Sequence, residues 1–141
     1  MSDKTLSVVI HIDGGARGNP GPAAAGVVIE SAGDGELLHS EGVYLGHATN
    51  NVAEYQGLLA GLAAAADLGA GEVKVISDSE LLVRQMIGQY RVRNAGLLPL
   101  YRKAQDLLQK FGKVSFQHVA REFNKKADQL VNQAIDQRRN V

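Results

Sequence analysis

The feature that most constrains this chain is a change of hydrophobic period near residue 50. Before it, apolar residues alternate; after it, they recur at helical spacing. Leu6, Val8, Ile10 and Ile12 stand on one side of a segment whose other side carries Ser7, Val9, His11 and Asp13. Short β-branched alternation of this kind predicts a strand. Residues 14–22, Gly-Gly-Ala-Arg-Gly-Asn-Pro-Gly-Pro, predict a turn-rich loop. Ala25 to Ser31 predicts a second strand, Gly33-Asp34-Gly35 a hairpin turn, and Glu36 to Leu45 a third strand, together an antiparallel meander.

Beyond the switch, Asn51 to Leu68 carries Leu58, Leu59 and Leu62 among a run of alanines and ends at Gly69, which predicts an amphipathic helix. Glu72 to Ser77 predicts a strand, Ser79 to Ile87 a helix closed by Gly88, and Asn94 to Phe111 a helix whose start Pro99 defers to near Leu98. Lys113 to Val119 predicts the fifth strand and Lys125 to Arg138 the last helix. The order βββ-α-β-α-α-β-α predicts an α/β fold. Its mixed five-stranded sheet has three antiparallel strands, then parallel crossovers, with helices on both faces. The 141 residues contain no repeat or linker and read as a single domain, 1–141.

Composition removes several classes of function. The chain has no cysteine, which excludes disulfide scaffolds, thiolate zinc sites and cysteine nucleophiles. No apolar run reaches the ~18 residues of a membrane span, and Met1-Ser2-Asp3-Lys4-Thr5 lacks a signal-peptide pattern. The expectation is a soluble cytoplasmic protein with no membrane partner, and a monomer. Charge sums to zero but is unevenly placed. Residues 1–80 carry three basic side chains, Lys4, Arg17 and Lys74, against eleven acidic ones, while residues 81–141 carry twelve basic against four acidic. Arg84, Arg91, Arg93, Arg102, Lys103, Lys110 and Lys113 face only Asp106 within residues 84–113, a density that suits a polyanion.

Four carboxylates occupy special positions. Asp13 ends the first predicted strand and Asp78 follows the fourth, while Glu54 and Asp128 fall in the first turns of the first and last predicted helices. If strands one and four run parallel side by side, all four meet at the edge where ligands of open α/β sheets gather. Each also has a duller explanation. Asp13-Gly14 is a common turn, Asn51-x-x-Glu54 resembles a capping box, Asp78 can cap a helix, and Asp128 suits a helix dipole. Converging without a neutralising lysine or arginine, they would repel one another unless cations intervene. An all-oxygen set points to Mg²⁺ or Mn²⁺, and two such ions suit in-line phosphoryl displacement. The small residues from Gly14 to Asn19 would let the backbone approach a sugar-phosphate chain. Thr49-Asn50-Asn51 at a helix start would seat a phosphate.

These segments carry a resemblance. Asp13-Gly14-Gly15-Ala16-Arg17-Gly18-Asn19-Pro20-Gly21-Pro22, Thr49-Asn50-Asn51-x-Ala53-Glu54-Tyr55, Ser77-Asp78-Ser79 and His118-Val119-x-Arg121-Glu122-x-Asn124-x-x-Ala127-Asp128 resemble, in order, the motifs of type 1 ribonuclease H. They most resemble the compact archaeal and bacterial form that lacks a basic protrusion. The resemblance implies hydrolysis of the RNA strand of RNA/DNA hybrids with two Mg²⁺ ions, giving 5′-phosphate and 3′-hydroxyl ends. It implies Asp13, Glu54, Asp78 and Asp128 as metal ligands. Arg121 resembles the subgroup's replacement for a mobile histidine; His118, ten residues before Asp128, also fits by counting but ends a predicted strand. Gly14, Asn19, Asn50 and Glu80 are the candidates for reading the RNA 2′-OH. Thr49, with Asn51 beside it, would seat a DNA phosphate, and Arg91 and Arg93 would take over binding from the missing protrusion. The same architecture underlies sugar kinases, other nucleases such as resolvases and integrases, and non-catalytic nucleic-acid-binding modules. Substrate is what discriminates among them.

Overall fold

Alternation in the first segment produces a strand longer than expected. In the structure, a computed structural model that describes residues 5–141, β1 (Leu6–Ala16) is central. Met1 to Lys4, on which most of the signal-peptide reading rests, lie outside the described residues. The strands β2 (Gly21–Ser31) and β3 (Leu37–Ala48) complete the meander, followed by α1 (Asn50–Asp67), β4 (Ala70–Ser77), α2 (Glu80–Met86), α3 (Leu98–Leu108), β5 (Lys113–His118) and α4 (Lys125–Gln137). A single 3-10 turn, Arg121–Phe123, precedes α4. The sheet order is β3-β2-β1-β4-β5. β1–β2 and β2–β3 are antiparallel, β1–β4 and β4–β5 parallel, as the element order predicts.

One boundary differs in kind from the sequence reading. Gly14, Gly15 and Ala16 are not loop; they pair with Ala25, Ala24 and Ala23 of β2, and the loop shrinks to residues 17–20. Turn propensity is local, whereas the β2 ladder and the helix lying on Gly14 act across the fold and prevail.

The two faces of the sheet are packed differently. On one, Ile10, Ile12, Val27, Ile29, Val73 and Val75 meet Leu58 and Leu62 of α1, and Leu100 and Ala104 of α3, all in one buried cluster. Each large aliphatic side chain so buried contributes about 1.5–3 kcal/mol. On the other, Ala24 lies under Val131, Ala134 and Ile135 of α4. Small residues on β2 let α4 sit close. Inside the larger cluster, the Tyr55 hydroxyl donates to Gln85 Oε1 at 2.6 Å, which ties α1 to α2 without leaving either polar group unpaired.

Candidate active site

Asp13 is the hub, and the sheet places it. The parallel register pairs Ile12 with Ser77, so Asp13 and Asp78 emerge side by side from neighbouring strands. Two glycines then bring in the helices. A Cβ on Gly14 would lie 2.3 Å from Glu54 N, so only a glycine there lets α1 deliver Glu54. A Cβ on Gly26, the β2 partner of Asp13, would lie 2.3 Å from Ala127 O, and the same argument seats α4 and its Asp128. Asn124, buried just before α4, fastens that helix by donating from Nδ2 to Ile12 O at 2.8 Å.

The duller explanations for Glu54 and Asp78 do not hold. Thr49 caps α1, its hydroxyl accepting from Val52 N at 3.2 Å, so Asn51 forms no capping box. Glu54 is the fifth residue of α1, just past the first turn where it was expected, and Ser79 beside it favours its ionised form. Ser79 rather than Asp78 caps α2, accepting from Leu82 N at 3.1 Å. Asp128 does stand in the first turn of α4, as expected.

One carboxylate oxygen from each of Asp13, Glu54 and Asp78 lies within 4.8 Å of the others, an arrangement that could hold a metal ion. Asp128 joins them in lining a cleft of about 510 Å³. Burial, then the charges of Asp78 and Glu54, push Asp13 up to about 9. Burial, then the Asp78 charge, push Glu54 up to about 8. Asp78 is raised too, chiefly by burial, while a hydrogen bond to Asp13 and the Arg121 charge oppose the rise. Carboxyls that resist ionisation in this way are restored to their charged form by a bound cation. Arg121, on the 3-10 turn, places Nη2 at 3.3 Å from Asp128 Oδ1 and favours ionised Glu54.

Residues 11–134 match the family model described as reverse transcriptase-like. Ribonuclease HI of Halobacterium salinarum is 42% identical over 134 residues, covering 95% of this chain and 67% of that protein. The chain belongs to the type 1 ribonuclease H family. The bifunctional protein Rv2228c of Mycobacterium tuberculosis is 47% identical over 93% of this chain, which spans only 36% of that protein's length. Its solved N-terminal RNase H domain superposes with a TM-score of 0.92, covering 94% of this chain and 96% of that one. LC11-RNase H1, solved in complex with an RNA/DNA hybrid, is 43% identical with a TM-score of 0.88, covering 94% of this chain and 99% of that one.

On this ribonuclease H framework the remaining expected residues divide. Asn50 lines the cleft, its Oδ1 accepting from Ala16 N at 2.7 Å, while Asn19 Oδ1 accepts from Asn50 N at 3.1 Å. The two asparagines stitch the β1–β2 loop to the start of α1. Gly14 lines the cleft too, but its missing side chain serves α1 rather than a free approach by substrate. Thr49 and Asn51 flank Asn50 without lining the cleft. Glu80 is turned to Arg84 on its own helix, Oε2 to Nε 3.0 Å, and stands outside the lining. Arg91 and Arg93 are exposed on the segment between α2 and α3, also outside it. His118 ends β5 opposite Ser77, as its strand reading expects, and does not line the cleft.

Two cleft residues with polar side chains escape the sequence reading. Asn132 donates from Nδ2 to Asp128 Oδ2 at 3.4 Å, and its position one helical turn past Asp128 was the available signal. Arg17 lines the cleft as well, its Nη2 donating to Asn132 O at 3.5 Å; its rarity as a cation among the first 80 residues was the only hint.

Proposed function

We propose that this chain hydrolyses the RNA strand of RNA/DNA hybrids, leaving 5′-phosphate and 3′-hydroxyl ends, with divalent cations held by Asp13, Glu54, Asp78 and Asp128. The observation that carries the reading is the meeting of Asp13, Glu54 and Asp78 within 4.8 Å. Burial and mutual charge make each carboxyl of this cluster costly to ionise, a cost that a bound cation offsets. Family membership and the hybrid complex of LC11-RNase H1 support the substrate. The all-oxygen donor set fits Mg²⁺ best, with Mn²⁺ able to replace it. Bound there, two ions would stabilise the leaving oxygen and activate the attacking water.

The chain's own groups orient the substrate. Asn50 Oδ1 is committed to Ala16, so its Nδ2 is the group left to donate to a 2′-OH, the atom that separates RNA from DNA. The Thr49 hydroxyl accepts from Val52 N and keeps its own proton for a phosphate of the DNA strand. Arg91 and Arg93 extend that track with charge. Arg121, with a side chain 79% exposed beyond its contact to Asp128, would draw off the new phosphate end, a role its exposure supports. His118, exposed at the end of β5, does not line the cleft. Recognition rests on backbone and 2′-OH, so base sequence should matter little.

The test is a substrate panel in Mg²⁺ comprising hybrid, duplex RNA, duplex DNA and branched DNA, run beside Asp13→Asn. The proposal expects hybrid as the preferred substrate, 5′-phosphate products, and a folded but inactive variant. Intact hybrid, or a variant with near-full activity, would overturn it.

A further inference from the structure

Among the described residues the cleft is lined by four carboxylates, Asp13, Glu54, Asp78 and Asp128, and by two cations, Arg121 and Arg17. Arg121 is paired with Asp128. Arg17 is drawn outward. Its Nη1 donates to Asp136 Oδ1 and its Nη2 to Asn132 O at 3.5 Å. Asp128, Asn132 and Asp136 are spaced by four residues and share one face of α4. The first two line the cleft, while Asp136 stands one turn beyond it, at the rim. The Arg17 backbone is fixed, its N–H donating to Pro22 O at 2.8 Å, but its side chain is 50% exposed and that of Asp136 62%.

We propose that Asp136 is a counter-ion latch, holding Arg17 at the rim in the free protein and yielding it to a phosphodiester oxygen of the strand bound in the cleft. The inference rests on the hybrid-cleaving reading above, since it needs a polyanion there. An ion pair this exposed is weak, whereas a guanidinium meets phosphate through two parallel charge-assisted bonds. Exchange is therefore favourable, yet the pair still taxes binding. Asp136 sets affinity and touches neither the reacting atoms nor the carboxylate cluster. Arg17, by contrast, is a substrate-binding residue.

The experiment measures KM and kcat for hybrid cleavage in Mg²⁺ with Asp136→Asn, Arg17→Ala and the double variant. Asp67→Asn, at the far end of α1, is the control for net charge. Asp136→Asn is expected to lower KM about threefold, the size of one exposed pair, with kcat unchanged. Arg17→Ala is expected to raise KM. The gain from Asp136→Asn is expected to shrink when Arg17 is absent. The latch is overturned if Asp136→Asn raises KM, as it would if Asp136 merely steadied Arg17. It is equally overturned if the change is nil, matches Asp67→Asn, or is the same with and without Arg17. If the unaltered protein leaves hybrid uncut, the functional reading fails instead, so the two failures are distinguishable.

Discussion

Gly14 lies so close to Glu54 that a Cβ on the glycine would stand 2.3 Å from the glutamate's backbone nitrogen. The contact joins the last stretch of β1, just past Asp13, to the helix that brings the second carboxylate. Gly26 repeats the device on the other face of the sheet, against the residue before Asp128. The acidic cluster is thus set by two backbone contacts that no other residue type permits.

Gly14→Ala is therefore expected to cost about 1–3 kcal/mol of stability, as overpacking does. Activity should fall further than stability, because a shift of about 1 Å in a positioned group can cost ~100-fold in rate. Gly33→Ala, where an added Cβ meets nothing within 4 Å, is the control and should leave both unchanged. Urea denaturation and initial rates on hybrid check the pair.

Without metal, the protein is expected to lose stability as pH rises. Asp13 is raised from 3.8 to about 9 and Glu54 from 4.5 to about 8, so the folded state holds protons that the unfolded chain has released. Stability from these groups is complete below about pH 4, declines across the interval, and is gone above the folded values. Asp13→Asn should flatten the profile, and Mg²⁺ should restore the unaltered protein at pH 8. Thermal melts across pH, in chelator and in Mg²⁺, provide the measurement.

Asp128 lines the cleft but is not among the three carboxylates that meet within 4.8 Å. Asp128→Asn is expected to leave the tighter divalent-ion site intact and weaken the second. Asp13→Asn should weaken both. Calorimetric titration with Mn²⁺ separates the two patterns.

Arg91 and Arg93 are exposed and stand clear of the cleft. Arg91→Ala with Arg93→Ala should weaken hybrid binding and reduce the slope of log K against log salt by about one per lost phosphate contact. Binding to hybrid measured across a salt series tests this, and an unchanged slope would remove both residues from the interface.

Much of this was legible in the sequence because period and order are strong signals. Alternation before residue 50 and helical spacing after it give a mixed sheet, and the observed strand order meets the condition on which Asp13 and Asp78 become neighbours. What escaped depends on contacts distant in the chain. Gly14-Gly15 reads as a turn locally, yet pairs with Ala25-Ala24 and receives α1. Asn51 and Asp78 look like helix caps, but Thr49 and Ser79, adjacent or nearly so, have hydroxyls in the right place. Glu80 stands outside the cleft, paired with Arg84 of its own helix, a partner four residues on that its spacing does offer. Arg17 meets Asp136 across a separation of 119 residues, and no local pattern encodes that.

The most direct test is anomalous diffraction from crystals of the Asp78→Asn variant, slowed in turnover, holding an RNA/DNA hybrid and Mn²⁺. The account predicts two manganese peaks about 3.5–4 Å apart, both touching Asp13, with an RNA phosphate between them. A single ion remote from Asp13, or a hybrid seated on another surface, would contradict it.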